Sequence, residues 1–416
     1  MAKHLRHKLS PLRSLHNDSL GIGFMRVQFA PCGMGLGHVG RCVPIARKLK
    51  ERGAKVLFST YKDGIRYVQH EGFSVTEVPP IGFVVKADGT IDFKQTVVNP
   101  GPFFASFTLM KQIDAEIKVM KTFKPDVVVS DSRVSPLIAA KLLGIPEVCI
   151  LNQFSISIPR KRHFLRLAKL ADAGTLTLIG KIWTAGEQVL IPDFPQPYTL
   201  SVGNLRIPNY YRKNVILIGP ILSVKPQELP SEKEIRKKLG LDEDKPFIFA
   251  PVSGPAKERA YFTGMLRQIF KEFPDDYQII MSLGYPSVPI KPVKDRNLVI
   301  YGWVPNRFEY LKACDLVVAR AGHGTVAQSI CYGKPLILVP TPSHTEQLNN
   351  AKRAAELGVA KVIDQKDLTK QTLLSAVQKM LEVDQFRKTA KQIEREALKL
   401  DGLETATKTI TEVAEG

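Results

Sequence analysis

Cysteine is scarce, with five residues at Cys32, Cys42, Cys149, Cys314 and Cys331 and no C-x-x-C pair among them. So odd and scattered a set excludes a zinc ribbon and a disulfide framework, and a reducing compartment is the simple reading. No apolar run approaches the roughly 18 residues a membrane-spanning helix needs; Val215 to Leu222 is about as long as the clean stretches get. Acidic residues are also in deficit, 40 Asp plus Glu against 59 Lys plus Arg, which leaves a net charge of +19. Such an excess fits nucleic acid, an anionic membrane face or a phosphorylated substrate. Nucleic acid is set aside, because neither a recognisable module nor aromatics interleaved with basic residues is present. Residues 1–24, with Lys3, Arg6, Lys8 and Arg13, lack the apolar core of a secretory signal and read as a basic, disordered extension.

What is present is a chain of 416 residues, 44% hydrophobic, enough for two or three domains each with its own core. Strand-length apolar runs alternate with segments of helical period, the pattern of parallel sheets covered by helices. Arg26 to Ala30 predicts a strand, His38 to Arg52 a helix and Lys55 to Thr60 the next strand. Leu109, Ile113, Ile117 and Met120 form one apolar helix stripe ahead of Pro125 and a buried strand at Asp126 to Ser130. Glu147 to Leu151 follows a helix closed by Gly144. A second alternation has strands at Phe247 to Pro251, Gln278 to Met281, Leu298 to Tyr301, Leu316 to Ala319 and Leu336 to Val339. The expected architecture is α/β: two Rossmann-like, doubly wound parallel-sheet domains facing across a cleft. Their expected spans are 25–220 and 233–383, joined by a linker at 221–232 and followed by a helical tail at 384–416. Ligands of such sheets bind beyond the carboxyl ends of the strands.

After the first strand comes a glycine loop in which Gly35, Gly37 and Gly40 satisfy G-x-G-x-x-G, a pattern that brings backbone N–H groups up to a phosphate. The acidic residue that a dinucleotide ribose calls for is missing, since the second strand ends Ser59-Thr60-Tyr61-Lys62; an NADP site on Lys62 stays open. His38, at the first turn of the helix, is placed either to take a proton from a substrate hydroxyl or to cap the loop. Asp131 emerges on the same sheet edge, either to fix the imidazole tautomer or to cap the helix that follows it.

The second half carries Tyr301-Gly302-Trp303-Val304-Pro305, then Ala319-Arg320-Ala321-Gly322-His323-Gly324-Thr325, then His344-Thr345-Glu346-Gln347. With the Gly37-His38 loop, these segments resemble the inverting nucleotide-sugar glycosyltransferases of the GT-B fold, the UDP-glycosyltransferases and MurG among them, over nearly the whole chain from Met25. The resemblance implies His38 as the base that deprotonates the acceptor hydroxyl and Asp131 as the carboxylate that orients it. It implies Trp303 and Val304 against the donor base, and Gly322, Gly324 and Thr325 beneath the diphosphate with help from His323. Arg320 stands where many relatives place a phosphate-binding His. Glu346 and Gln347 match the pair that hydrogen-bonds the donor sugar, and Ser253-Gly254 matches another donor-side loop.

One departure is Gln328, where relatives commonly carry a Glu that accepts both ribose hydroxyls; an uncharged amide accepts more weakly. UDP is the expected carrier, with a hexose or N-acetylhexosamine upon it. No metal and no resident cofactor are expected, since Asp242-Glu243-Asp244 reads as a solvated turn. Pro159 to Trp183 interleaves basic and apolar residues, as suits a helix pair half-buried on its own domain or an anionic lipid surface. A lipid-linked acceptor and a cytoplasmic protein touching the membrane face follow as expectations. A nucleotide-sugar epimerase and a non-catalytic nucleotide- or carbohydrate-binding subunit are the rival readings.

Overall fold

The structure, a computed structural model, describes residues 24–80, 101–152, 180–184, 186–203, 205, 214–286 and 291–416. The amino-terminal lobe is a sheet of β1 (Arg26–Pro31), β2 (Lys55–Thr60), β3 (Val75–Glu77), β4 (Val127–Asp131), β5 (Glu147–Ile150), β6 (Gln188–Ile191) and β7 (Val215–Leu217). All its pairings are parallel, in the order β3-β2-β1-β4-β5-β6-β7. Helices α1 (Gly37–Glu51), α2 (Asp63–His70), α3 (Gly101–Phe123) and α4 (Ser135–Leu143) cover it. The central strands β1 and β4 are buried almost throughout, which is why they read as unbroken apolar runs. Helix α1 packs Val39, Cys42, Val43, Ile45, Ala46 and Leu49 against them.

The carboxy-terminal lobe repeats the plan. Its strands are β8 (Phe247–Pro251), β9 (Gln278–Ser282), β10 (Val293–Asp295), β11 (Leu298–Tyr301), β12 (Leu316–Ala319), β13 (Leu336–Leu338) and β14 (Ala360–Val362). They lie in the order β10-β11-β9-β8-β12-β13-β14, with only the edge strand β10 antiparallel. The covering helices are α5 (Glu232–Leu239), α6 (Ala256–Lys271), α7 (Arg307–Ala313), α8 (His323–Cys331), α9 (Thr345–Glu356), α10 (Lys370–Glu382) and α11 (Asp384–Ala397). Separate apolar clusters line the two faces of this sheet, one around Phe249, Val317 and Ile330 and one around Ile248, Phe262 and Leu266.

The carboxy-terminal tail divides between the lobes. Ala390 and Ile393 of α11 join the core of the second lobe, whereas α12 (Gly402–Glu415) crosses back and buries Ala406 and Ile410 in the core of the first. Glu404 then pairs with Lys48 and Arg52 of α1. The two passages between lobes touch where they cross: a Cβ on Gly402 would lie 2.3 Å from the Gly219 carbonyl oxygen, so only a bare backbone fits there.

In each sheet the chain departs to one side of its first strand and returns on the other, creating a crevice at the carboxyl ends of β1 and β4 and another at those of β8 and β12. The register makes the first concrete: Pro31 is opposite Asp131, and the Cys32 N–H donates to the Asp131 carbonyl at 3.1 Å. The start of α1 and the end of β4 are thereby brought side by side.

Candidate active site

That adjacency joins His38 to Asp131, with Nδ1 2.7 Å from Oδ1. The Asp131 side chain has no solvent exposure, while a quarter of the His38 side chain is exposed. A hydrogen bond from Nδ1 to a buried carboxylate leaves Nε2 as the ring nitrogen free to accept a proton. Arg41 lies one turn further along α1, on the same face as His38. Its Nε donates to Asp131 Oδ2 and its Nη2 to Oδ1 at 2.5 Å. Burial works to raise the Asp131 pKa, but the Arg41 and His38 charges and their hydrogen bonds outweigh it and hold the carboxyl well below the usual range. Arg41 in turn is desolvated, and Asp131 overrides that effect and raises its pKa.

Opposite this group, β12 ends and α8 begins. Gly322 stands at the N-cap in extended backbone with no side-chain cap, and the first turn holds no acidic residue. The N–H groups of His323, Gly324 and Thr325 are therefore available to a ligand, and the helix dipole favours an anion there. His323 is buried, its Nε2 3.3 Å from Asp193 Oδ2 of the other lobe but off the line of a hydrogen bond. Asp193 accepts backbone N–H bonds from Phe194, Leu200 and Ser201. Burial raises its pKa, and His323 with these hydrogen bonds brings it below the ordinary carboxylate value.

Between the lobes is an open cleft. Its walls include Gly37, Gly40, Arg41, Ser253, Trp303, Val304, Arg307, His323, Gly324, Thr325 and Gln328. Among the described residues that line it are Arg41 and Arg307 and no Asp or Glu, so the cleft electrostatically suits an anion. Gly35, at φ +71°, lies beside the wall where the lobes meet; a Cβ there would approach the Gly254 carbonyl carbon to 3.2 Å, and Gly254 itself has φ +119°.

Trp303 lines the cleft and meets Tyr67 and His70 of α2 edge-on at 5.8 and 6.1 Å. Glu346 accepts from Asn152 Nδ2 at 2.8 Å, across the gap between lobes. The Gln347 amide is turned inward, accepting from the Thr341 N–H and donating to Glu258. Arg320 does not line the cleft. Its guanidinium lies 4.0 Å above the Phe262 ring and donates to the Val339 carbonyl and to Gln365, behind the phosphate-facing turn. Burial lowers its pKa to about 10, against the partial support of Glu258. Arg320 is thus turned away from the cleft in which a phosphate contact was expected of it, and the arginines among the described cleft-lining residues are Arg41 and Arg307 instead.

The residues that sequence reasoning passed over are Arg41, Asn152, Asp193, Tyr67 and Arg307. Arg41 was findable from its i+3 spacing to His38. Asn152 and Asp193 each follow a parallel strand by two residues, where such sheets gather their ligand groups. Of the stretch Pro159 to Trp183, all but 180–183 lies outside the described residues. Among those described, no helix is long and apolar enough to cross a membrane.

Residues 25–215 match the model described as glycosyl transferase family 1, and residues 260–405 match the glycosyltransferase family 28 C-terminal domain. An uncharacterized glycosyltransferase of Methanosarcina mazei is 28% identical over 91% of this chain and 96% of its own length. A UDP-N-acetylglucosamine--N-acetylmuramyl-(pentapeptide) pyrophosphoryl-undecaprenol N-acetylglucosamine transferase of Desulforamulus reducens is 27% identical, over 86% of this chain and 90% of its own. The solved structure of the spinosyn rhamnosyltransferase SpnG complexed with thymidine diphosphate superposes with a TM-score of 0.63 at 16% identity, covering 93% of this chain and all of that one, 100%. Two doubly wound lobes around an anion-suited cleft, matched half by half to these models, make the chain a glycosyltransferase of GT-B fold. Within that class its two halves and its relatives are similar to the superfamily that holds the UDP-glycosyltransferases and the MurG-like enzymes.

Proposed function

We propose that the protein transfers a hexose or N-acetylhexosamine from a nucleotide-diphosphate sugar, UDP-linked, to an acceptor hydroxyl, with inversion and without a metal ion. The observation that carries this reading is the pairing of His38 Nδ1 with buried Asp131 on one lobe, next to the Gly37, Gly40 and Arg41 wall of a cleft whose other wall includes the uncapped start of α8. Asp131 fixes the tautomer; His38 Nε2 takes the acceptor hydroxyl proton as that oxygen bonds to the anomeric carbon. The bond from that carbon to the diphosphate breaks on the opposite face, which inverts the centre. Negative charge builds on the departing diphosphate, where the α8 N–H groups and the cleft cations are aimed without reorganisation. Trp303 and Val304 are assigned to the base, Gln328 to the ribose, and Glu346 to the sugar hydroxyls. The name of the Desulforamulus relative and the basic, apolar character of Pro159 to Trp183 support a lipid-linked acceptor and contact with an anionic membrane face.

Calorimetric titration with UDP, TDP and UDP-N-acetylglucosamine, paired with NMR of the product anomer, tests the reading. Binding of a nucleotide diphosphate and a product of opposite anomeric configuration are expected. Absence of nucleotide binding, or retention of configuration, would overturn it. Flotation with anionic liposomes at low salt tests the membrane contact, and a protein that stays at the bottom of the gradient rejects it.

A further inference from the structure

Asn152 sits at the exit of β5, between two charges that belong to different lobes. Its Oδ1 accepts from Arg41 Nη2 at 3.2 Å and its Nδ2 donates to Glu346 Oε1 at 2.8 Å. A primary amide is the neutral group that offers an acceptor to a guanidinium and a donor to a carboxylate at once, and the reverse orientation would oppose donor to donor and acceptor to acceptor. Arg41 continues the connection, because its fork grips the same Asp131 carboxylate that accepts from His38 Nδ1. An unbroken line of polar contacts thus runs from Glu346 on α9 through Asn152 and Arg41 to Asp131 and His38.

We propose that Asn152 and Arg41 are positioning residues that align the His38–Asp131 pair against the donor-sugar carboxylate Glu346, so that base geometry depends on the two lobes facing each other. The inference rests on the glycosyltransferase reading above and adds two residues to it. Three features support it. Among the described side chains on the Asp131 carboxylate, His38 and Ser132 reach Oδ1 and Cys42 reaches Oδ2, whereas Arg41 grips both oxygens, so its fork sets where Oδ1 stands and hence where the imidazole ring stands. The Arg41 side chain is mostly buried, 12% exposed, so its fork is not free to wander. Asn152, 4% exposed, has its two amide atoms committed on opposite sides. Displacement of a reacting group by about 1 Å costs on the order of a hundredfold in rate, so a remote bridge of this kind has leverage on turnover.

The test is a cycle of Asn152→Asp, Glu346→Gln and the double variant. Asn152→Asp keeps size and the Arg41 contact but sets two carboxylates against each other; adding Glu346→Gln restores a donor opposite an acceptor. Turnover is read as release of the nucleoside diphosphate, UDP from UDP-N-acetylglucosamine and UDP-glucose and TDP from TDP-glucose, with water as acceptor, and thermal midpoints confirm folding. Expected are a drop of about tenfold or more in kcat for Asn152→Asp with donor KM within about threefold, and a double variant within about threefold of Glu346→Gln alone. Wild-type kcat in Asn152→Asp, or losses that multiply in the double variant, would overturn the bridge while leaving the glycosyltransferase reading in place. A wild-type protein that neither binds UDP nor turns over any of the three donors overturns that reading, and the bridge with it.

Discussion

His38 and Asp131 concentrate the chemistry in one hydrogen bond, and substitution separates their roles. His38→Ala removes the proton acceptor and touches no donor contact. Turnover is expected to fall by about a hundredfold to ten-thousandfold, the range of general base catalysis, with nucleotide affinity nearly unchanged by calorimetry. Asp131→Asn leaves the Arg41 guanidinium mostly buried without its counter-charge, which is expected to cost about 3–5 kcal/mol in urea unfolding. The acid dependence has a defined sign. A carboxylate held below its unfolded value of about 3.9 contributes stability that is complete above that pH and is lost as pH falls through the lower, folded value. The gap in thermal midpoint between wild type and Asp131→Asn is therefore expected to stay level above about pH 5 and to narrow as pH drops below about 4. Arg320 illustrates the limit of residue type as a guide: its place after β12 put it near the phosphate turn, but the Phe262 ring and the Val339 carbonyl claimed its guanidinium.

The loop from β1 into α1 shows that glycines in one motif do different work. A Cβ on Gly33 would sit 1.8 Å from the Tyr61 carbonyl oxygen, so Gly33→Ala forces strand ends apart and is expected to lower the urea midpoint by roughly 1–3 kcal/mol equivalent or more. Gly37 has nothing within 4 Å of a Cβ and lines the cleft, so Gly37→Ala is expected to fold normally and weaken nucleotide binding in the same titration. The motif G-x-G-x-x-G did not contain Gly33, and spacing alone does not separate a packing glycine from a cleft glycine. Long buried strands were legible because burial on both faces leaves an unbroken apolar run. The strands that the pattern passed over, β3, β6, β7, β10 and β14, have three or four residues each, and β3, β7 and β10 are largely exposed, so no buried apolar run marks them.

Across the whole molecule, α12 ties the chain end back to the lobe where it began. Its apolar face, Ala406 and Ile410, completes the first core, so Ile410→Ala is expected to cost about 2–5 kcal/mol by denaturant unfolding. Removing residues 402–416 takes away both that face and the Glu404 pairs with Lys48 and Arg52. Calorimetry of the truncated protein is expected to show the amino-terminal lobe melting first and separately, where the full chain melts with the lobes coupled. A single unshifted transition would mean that α12 contributes no stability to that lobe.

The sequence by itself determined the paired α/β alternation, the glycine loop with His38 at its helix, and Asp131 at a strand end, because strand burial and helix starts are local consequences of residue order. It also carried the motif order by which both halves match glycosyltransferase models. Tertiary structure alone decided that Asp131 is shared between His38 and Arg41, that Asn152 reaches Glu346, that Arg320 turns inward and that the tail splits between lobes. These depend on which strand ends lie side by side and how two separately folded sheets face each other, and contacts between residues 90 to 350 positions apart leave no local pattern to read.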